Sequence, residues 1–131
     1  MADYPDFSSP RVVITEADFK SAEGTLVYIS AVPSSAIEPG SIYGGLVYTV
    51  PSDQIFYWRS LYVVSDINVY IWIYFTPDDH ETEVWLKARE PFYYPINPIM
   101  PFLGDNDIYI YIGNEDIVSG YVRVELFGYR K

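Results

Sequence analysis

The sequence predicts an all-β chain, a jelly-roll-like antiparallel β-sandwich of about eight strands, and three observations carry that expectation. The first is alternation with a period of two: Val69, Ile71, Ile73 and Phe75 fall on one parity, and Asn68, Tyr70, Trp72 and Tyr74 on the other. Successive side chains of a strand point to opposite faces, so this segment presents an aliphatic face and an aromatic, polar-tipped face. A helix would mix the two sets. The second is that the division returns near the C-terminus, where Ile108, Ile110 and Ile112 alternate with Tyr109 and Tyr111, and Val122, Val124 and Leu126 with Tyr121, Arg123, Glu125 and Phe127. The third is punctuation. Turn residues interrupt the chain at uneven intervals, which favours a two-sheet sandwich over an up-and-down barrel.

Taken in order, residues 1–10 read as an N-terminal arm, because Pro5, Ser8, Ser9 and Pro10 break regular structure. Residues 11–131 are expected to form a single β-sandwich domain. Residues 12–15 read as a short strand, and 16–23 as a helical turn that Gly24 ends. Residues 26–30 make a second strand. The stretch 33–45 holds Pro33, Pro39, Gly40, Gly44 and Gly45 and reads as loop, with at most a short edge strand around Ile42. Residues 46–50 and 55–64 are strands joined by the turn Pro51-Ser52-Asp53-Gln54. After the strand 68–75 comes an acidic turn over 76–81, then a strand over 83–89 in which Val84, Leu86 and Ala88 alternate with Glu83, Trp85, Lys87 and Arg89. Four prolines between Pro91 and Pro101 allow edge or polyproline-like structure there and exclude a central strand. Gly104-Asp105-Asn106 turns into a strand over 107–112, 113–119 is loop, and 120–129 is the last strand.

Composition removes several function classes. Half of the 131 residues are apolar and 18% are aromatic, with 14 Tyr, too hydrophobic for a disordered chain. A formal net charge of −10, from 8 Lys and Arg against 18 Asp and Glu, gives nucleic acid no electrostatic footing and repels an anionic membrane. Without cysteine there are no disulfides, thiolate metal sites or thiol nucleophiles. The opening residues carry acidic groups and proline where a signal peptide needs a basic start and an apolar run, and no apolar run approaches the roughly 20 residues of a membrane helix. No nucleic-acid or membrane partner is expected.

Candidate chemistry is sparse. One histidine, His80, and no Gly-x-Ser-x-Gly segment leave nucleophilic catalysis without its parts. Glycines at 40, 44 and 45 lack the lysine and the following helix of a phosphate loop. Glu83 and Glu125 are the carboxylates on strands that a hydrolase pair would need, and a solvated face position accounts for each. The oxygen-rich turns hold the only metal candidates, Asp78, Asp79, Asp105 and Asp107, and these are residue types that tight turns select for themselves. No cofactor and no enzymatic activity are expected.

The aromatic parity is the informative surface. Tyr70, Trp72 and Tyr74 would stand in a row, with Tyr109, Tyr111 and Tyr121 extending it if their strands lie near. At about 150–250 Å² per ring, three exposed rings amount to roughly 450–750 Å², at or above the largest apolar patch of an ordinary monomer. Something covers them. The second sheet or the 33–45 stretch could pack over them, another molecule could bind there, or sugars could stack on them with Asn68 and Arg59 as polar partners.

After Leu46 the pieces follow a recognisable order: a strand ending in Val50-Pro51, a long strand, the alternating strand 68–75, the proline-rich passage, Gly104-Asp105 leading into a strand, and a last strand ending near Gly128-Tyr129. This resembles small jelly-roll proteins of virion surfaces, the decoration or cement, turret and head-fibre proteins of tailed phages and archaeal viruses. The resemblance covers roughly the last two thirds of the chain and consists of shape signals. Ser52-Asp53-Gln54 departs from the small residues and lysine usual in that turn. It implies a non-enzymatic capsid decoration, stabilising or spike role, homo-oligomeric with a trimer favoured. The implied partner is a major capsid or other virion protein, and the implied location is the virion surface after synthesis in the host cytoplasm. The alternative function is a carbohydrate-binding module that takes a receptor glycan on the aromatic row.

Overall fold

The computed structural model describes the backbone of residues 12–21 and all of residues 24–131; the expected arm, residues 1–10, lies outside the described residues. Nine strands follow one another: β1 (Val12–Ser21), β2 (Gly24–Ala31), β3 (Ile42–Thr49), β4 (Ile55–Ser65), β5 (Val69–Thr76), β6 (His80–Leu86), β7 (Phe92–Leu103), β8 (Asp107–Asn114) and β9 (Val122–Arg130). They form a five-stranded sheet, β1-β2-β9-β4-β7, and a four-stranded sheet, β3-β8-β5-β6, with every pairing antiparallel. From β2 onward the chain crosses between the sheets at nearly every step. The order β2-β9-β4-β7 against β3-β8-β5-β6 is the interleaving of a jelly roll, with β1 added outside β2. No helix among the described residues is long and apolar enough to cross a membrane.

Alternating side chains build the core. Val69, Ile71, Ile73 and Phe75 of β5 and Ile108, Ile110 and Ile112 of β8 point inward and are at most 1% exposed. They meet Val27, Ile29, Phe56, Trp58, Leu61, Val124 and Leu126 of the other sheet in one cluster. Phe75 stacks on Phe102 with ring centroids 3.7 Å apart, and the buried Trp58 indole N–H donates to the Ser60 carbonyl at 2.8 Å, so its one polar group is satisfied.

Three expectations need correction. Over 16–21 the expected helical turn does not form: Val12–Ser21 is one strand, paired from Val12↔Ala31 to Ser21↔Gly24 with an irregularity between Glu16 and Lys20, and the rest of the expected turn, 22–23, lies outside the described residues. The open edge of β2 offers a ladder of backbone partners, and tertiary pairing overrides a weak local helical preference. Residues 42–45, read mainly as loop, join β3, because Gly44 and Gly45 tolerate the positive φ values of 152° and 156° found there. The β5–β6 turn is tighter than expected, so β6 begins at His80 and ends at Leu86. The proline-rich passage forms β7, on the edge of its sheet, where missing N–H donors break no interior ladder.

Candidate interaction surface

Register assembles the outward face of the four-stranded sheet into rows. Tyr70 lies between Gly113 and Trp85, Trp72 between Tyr111 and Glu83, and Tyr74 between Tyr109 and Glu81. On the β3 side the same rows continue with Ile42 opposite Gly113, Gly44 opposite Tyr111 and Leu46 opposite Tyr109. The second sheet packs on the opposite, aliphatic side and does not cover the rings. The loop before β3 does not cover them either; it runs to the far end of β8, where Ile37 pairs with Gly120 and Gly40 N–H donates to the Asn114 carbonyl.

Five of the six expected aromatic residues therefore come together, each half-buried because the rings shield one another. Trp72 stacks on Tyr111 at 5.0 Å and on Tyr74 at 5.6 Å, and Tyr109 and Tyr111 lie nearly parallel at 6.3 Å. These are offset-stacked separations, so much of each ring face is turned toward a neighbour. The Trp72 indole nitrogen is buried without a hydrogen-bond partner. Tyr121 does not join them. It precedes β9, on the other sheet, with its backbone N–H held by the Asp66 carboxylate at 2.7 Å, because β9 pairs with β2 and β4 rather than with β5 or β8.

Sequence reasoning did not single out Trp85, Ile42 and Leu46, which are 64%, 72% and 52% exposed and frame the rings at the two sheet edges. Trp85 shares a parity with Glu83, which was a usable signal, but only strand order shows that its ring lies 4.8 Å from Tyr70.

Carboxylates border this surface. The Tyr70 hydroxyl donates to Glu83 Oε1 at 2.8 Å, the Tyr74 hydroxyl to Asp79 Oδ1 at 2.9 Å, and Thr49 Oγ1 to Asp107 Oδ1 at 2.6 Å. Exclusion of water, followed by the hydrogen bond to Glu83, pushes the Tyr70 phenol up to about 12. The bond to Asp79 is the main cause of a rise at Tyr74. The strands β3, β5, β6 and β8 contain neither Lys nor Arg.

Asp78, Asp79 and Asp105 are engaged as turn residues, while Asp107 opens β8 and accepts the Thr49 hydroxyl. Asp79 and Asp105 adopt φ of 58° and 70°, Ser52 Oγ donates to Asp105 Oδ1 at 2.8 Å, and Asp78 N–H donates to Asn106 Oδ1 at 3.2 Å. Among the described residues no three His, Cys, Asp or Glu side chains gather as a cation site. Glu83 and Glu125 lie on β6 and β9, in different sheets, so they form no acid/base pair. Of the expected sugar partners, Arg59 is on the other sheet, over the Tyr129 ring at 5.9 Å, and Asn68 directly precedes β5 with its side chain accepting the Ala88 N–H at 2.8 Å. A cleft of about 340 Å³ opens beside β6 and β7, lined by Trp58, His80, Thr82, Tyr94, Ile96 and Met100 among others. His80 Nε2 is 3.1 Å from Thr82 Oγ1 there.

No family model matches the chain, and no curated protein matches it. Similar solved structures include Drosophila melanogaster CENP-C bound to CAL1, at 9% identity and TM-score 0.38, covering 92% of this chain and 81% of that one. The D. melanogaster CENP-C cupin domain is 10% identical with TM-score 0.38, covering 100% and 86%. A cupin domain from Bordetella pertussis is 13% identical with TM-score 0.31, covering 91% and 94%. At such identities nothing of those proteins' partners or chemistry passes to this chain, whose jelly-roll assignment rests on its own strand order.

Proposed function

We propose that the chain is a non-enzymatic viral structural protein, a capsid-decorating or surface-spike module that adheres through the outer face of its four-stranded sheet. One observation carries the reading: Tyr70, Trp72, Tyr74, Tyr109 and Tyr111 form a continuous outward ring cluster whose borders, Ile42, Leu46 and Trp85, are each more than half exposed. Large rings with wet hydroxyl tips suit a surface that becomes partly dry on contact. The resemblance to virion surface proteins supplies the setting, and the dispersed carboxylates and lone histidine are consistent with a role that needs no reaction. Self-association, with a trimer favoured, is the second half of the proposal. Light scattering at micromolar concentration is expected to give a mass near three copies, and a strictly monomeric mass removes that half. Absence of the chain from purified particles of the virus that encodes it removes the virion role.

A carbohydrate-binding reading has one specific support. Trp85 is 64% exposed, with Tyr70 beside it at 4.8 Å and the Glu83 carboxylate on the same strand, so a sugar could stack and hydrogen-bond at that corner. A glycan array with the wild type and Trp85→Ala decides it; no signal from the wild type ends this reading.

A further inference from the structure

We propose that the ring face receives a cationic protein segment, one presenting arginine or lysine, and not a second copy of this chain. This rests on the reading that the face is a contact surface, and it names the chemistry of the partner. Charge complementarity selects the partner. Glu81 and Glu83 on β6, Asp107 on β8 and Asp79 in the β5–β6 turn border the rings, and none of the four strands contributes a Lys or Arg. Among the described residues, the cations lie on the five-stranded sheet at Lys20, Arg59, Arg123 and Arg130, in the β6–β7 connection at Lys87 and Arg89, and at Lys131.

Two copies meeting face to face would set these carboxylates against their own kind, in a chain whose net charge is already −10. Self-association therefore uses another surface. A cationic segment meets the opposite situation. A guanidinium is planar, stacks on Tyr and Trp faces, and takes a carboxylate through two parallel hydrogen bonds. Glu83 accepts one bond from Tyr70, while an ionised carboxylate has room for about four. Glu81 and Glu83 are two residues apart on an edge strand, a spacing of about 6.8 Å. An extended segment with a cation at every second position repeats that spacing.

The test is calorimetric titration with a synthetic peptide of alternating arginine and alanine, beside light scattering on the same proteins. Glu81→Gln/Glu83→Gln and, separately, Trp85→Ala are each expected to weaken binding at least about threefold. Glu38→Gln/Asp53→Asn, which removes the same charge from exposed positions elsewhere, is expected to change it less than about twofold. Equal losses in the two double variants, or an unchanged Trp85→Ala, would mean that only net charge is sensed and overturn the proposal. Loss of oligomer mass in Glu81→Gln/Glu83→Gln or Trp85→Ala overturns it too, because the face would then be the copy-to-copy contact. No peptide binding with an intact oligomer overturns the cationic partner and leaves the virion module standing. Glycan capture lost in Trp85→Ala, with no peptide binding, overturns it in favour of sugar.

Discussion

Neighbouring residues 71 and 72 divide the work of the molecule between them. Ile71 is fully buried between the sheets, and Trp72 lies on the outer face, stacked on Tyr111 and Tyr74. Ile71→Asp would place an unpaired carboxylate in an apolar layer, a cost of several kcal/mol that is large against a typical stability of about 5–15 kcal/mol. We expect no cooperative thermal transition for it at neutral pH. Trp72→Ala loses two ring contacts worth about 0.5–1.5 kcal/mol each beyond their buried area, so it should still melt cooperatively, a few degrees lower, while failing in adhesion. Equal loss of fold in both variants would show that the outer rings serve the monomer alone. Tyr70 gives a second test at this scale. Its phenol is held up to about 12, so the neutral form is favoured in the folded state. That contribution is complete below the unfolded value of about 10 and disappears as pH rises through the folded value. Spectroscopic titration should find at least one tyrosine ionising well above pH 10, and Glu83→Gln should bring Tyr70 down; a titration unchanged by Glu83→Gln means that the hydrogen bond has no influence.

Among the elements, legibility followed the length of unbroken alternation. β5 and β8 were readable because period-two patterning over 69–76 and 107–112 leaves one choice of inward face, and a one-residue slip would turn every ring into the core. β1 was readable over 12–15 and not beyond. Its sequence over 16–20 has no strong period, and what makes it a strand is pairing with the edge of β2, the next strand in the chain, itself held on its other side by β9. Trp85 and Tyr121 show the same limit at the surface: parity told that each ring turns away from the core, and only strand order told which neighbours it meets. β3 adds a constraint hidden in one residue. A Cβ on Gly44 would lie 2.1 Å from the Ile110 carbonyl oxygen and 2.7 Å from the Tyr111 Cα, at a φ of 152° that side chains rarely adopt. Both obstacles are backbone and cannot swing aside. Gly44→Ala is expected to cost at least about 2 kcal/mol and to loosen β3 from β8, read as faster amide exchange along β3. Unchanged stability would mean that β3 is not docked on β8 as closely as this register requires.

For the whole molecule, the decisive property is that the Lys and Arg residues on strands are sorted by sheet. The strands of the four-stranded sheet hold Glu81, Glu83 and Asp107 with no cation, while Arg59, Arg123 and Arg130 belong to the five-stranded sheet. A chain of net charge −10 repels its own copies, so any self-association gains when salt shortens the range of that repulsion, from about 30 Å at 0.01 M to about 8 Å at 0.15 M. Attraction between the acidic ring face and a cationic segment weakens under the same change. The two contacts proposed for this protein should therefore answer salt with opposite signs. Raising sodium chloride from about 0.01 to about 0.15 M is expected to raise the oligomer mass at fixed concentration and to weaken cationic-peptide binding severalfold. If both strengthen or both weaken together, the two functions do not belong to separate surfaces, and the division of labour between the sheets fails.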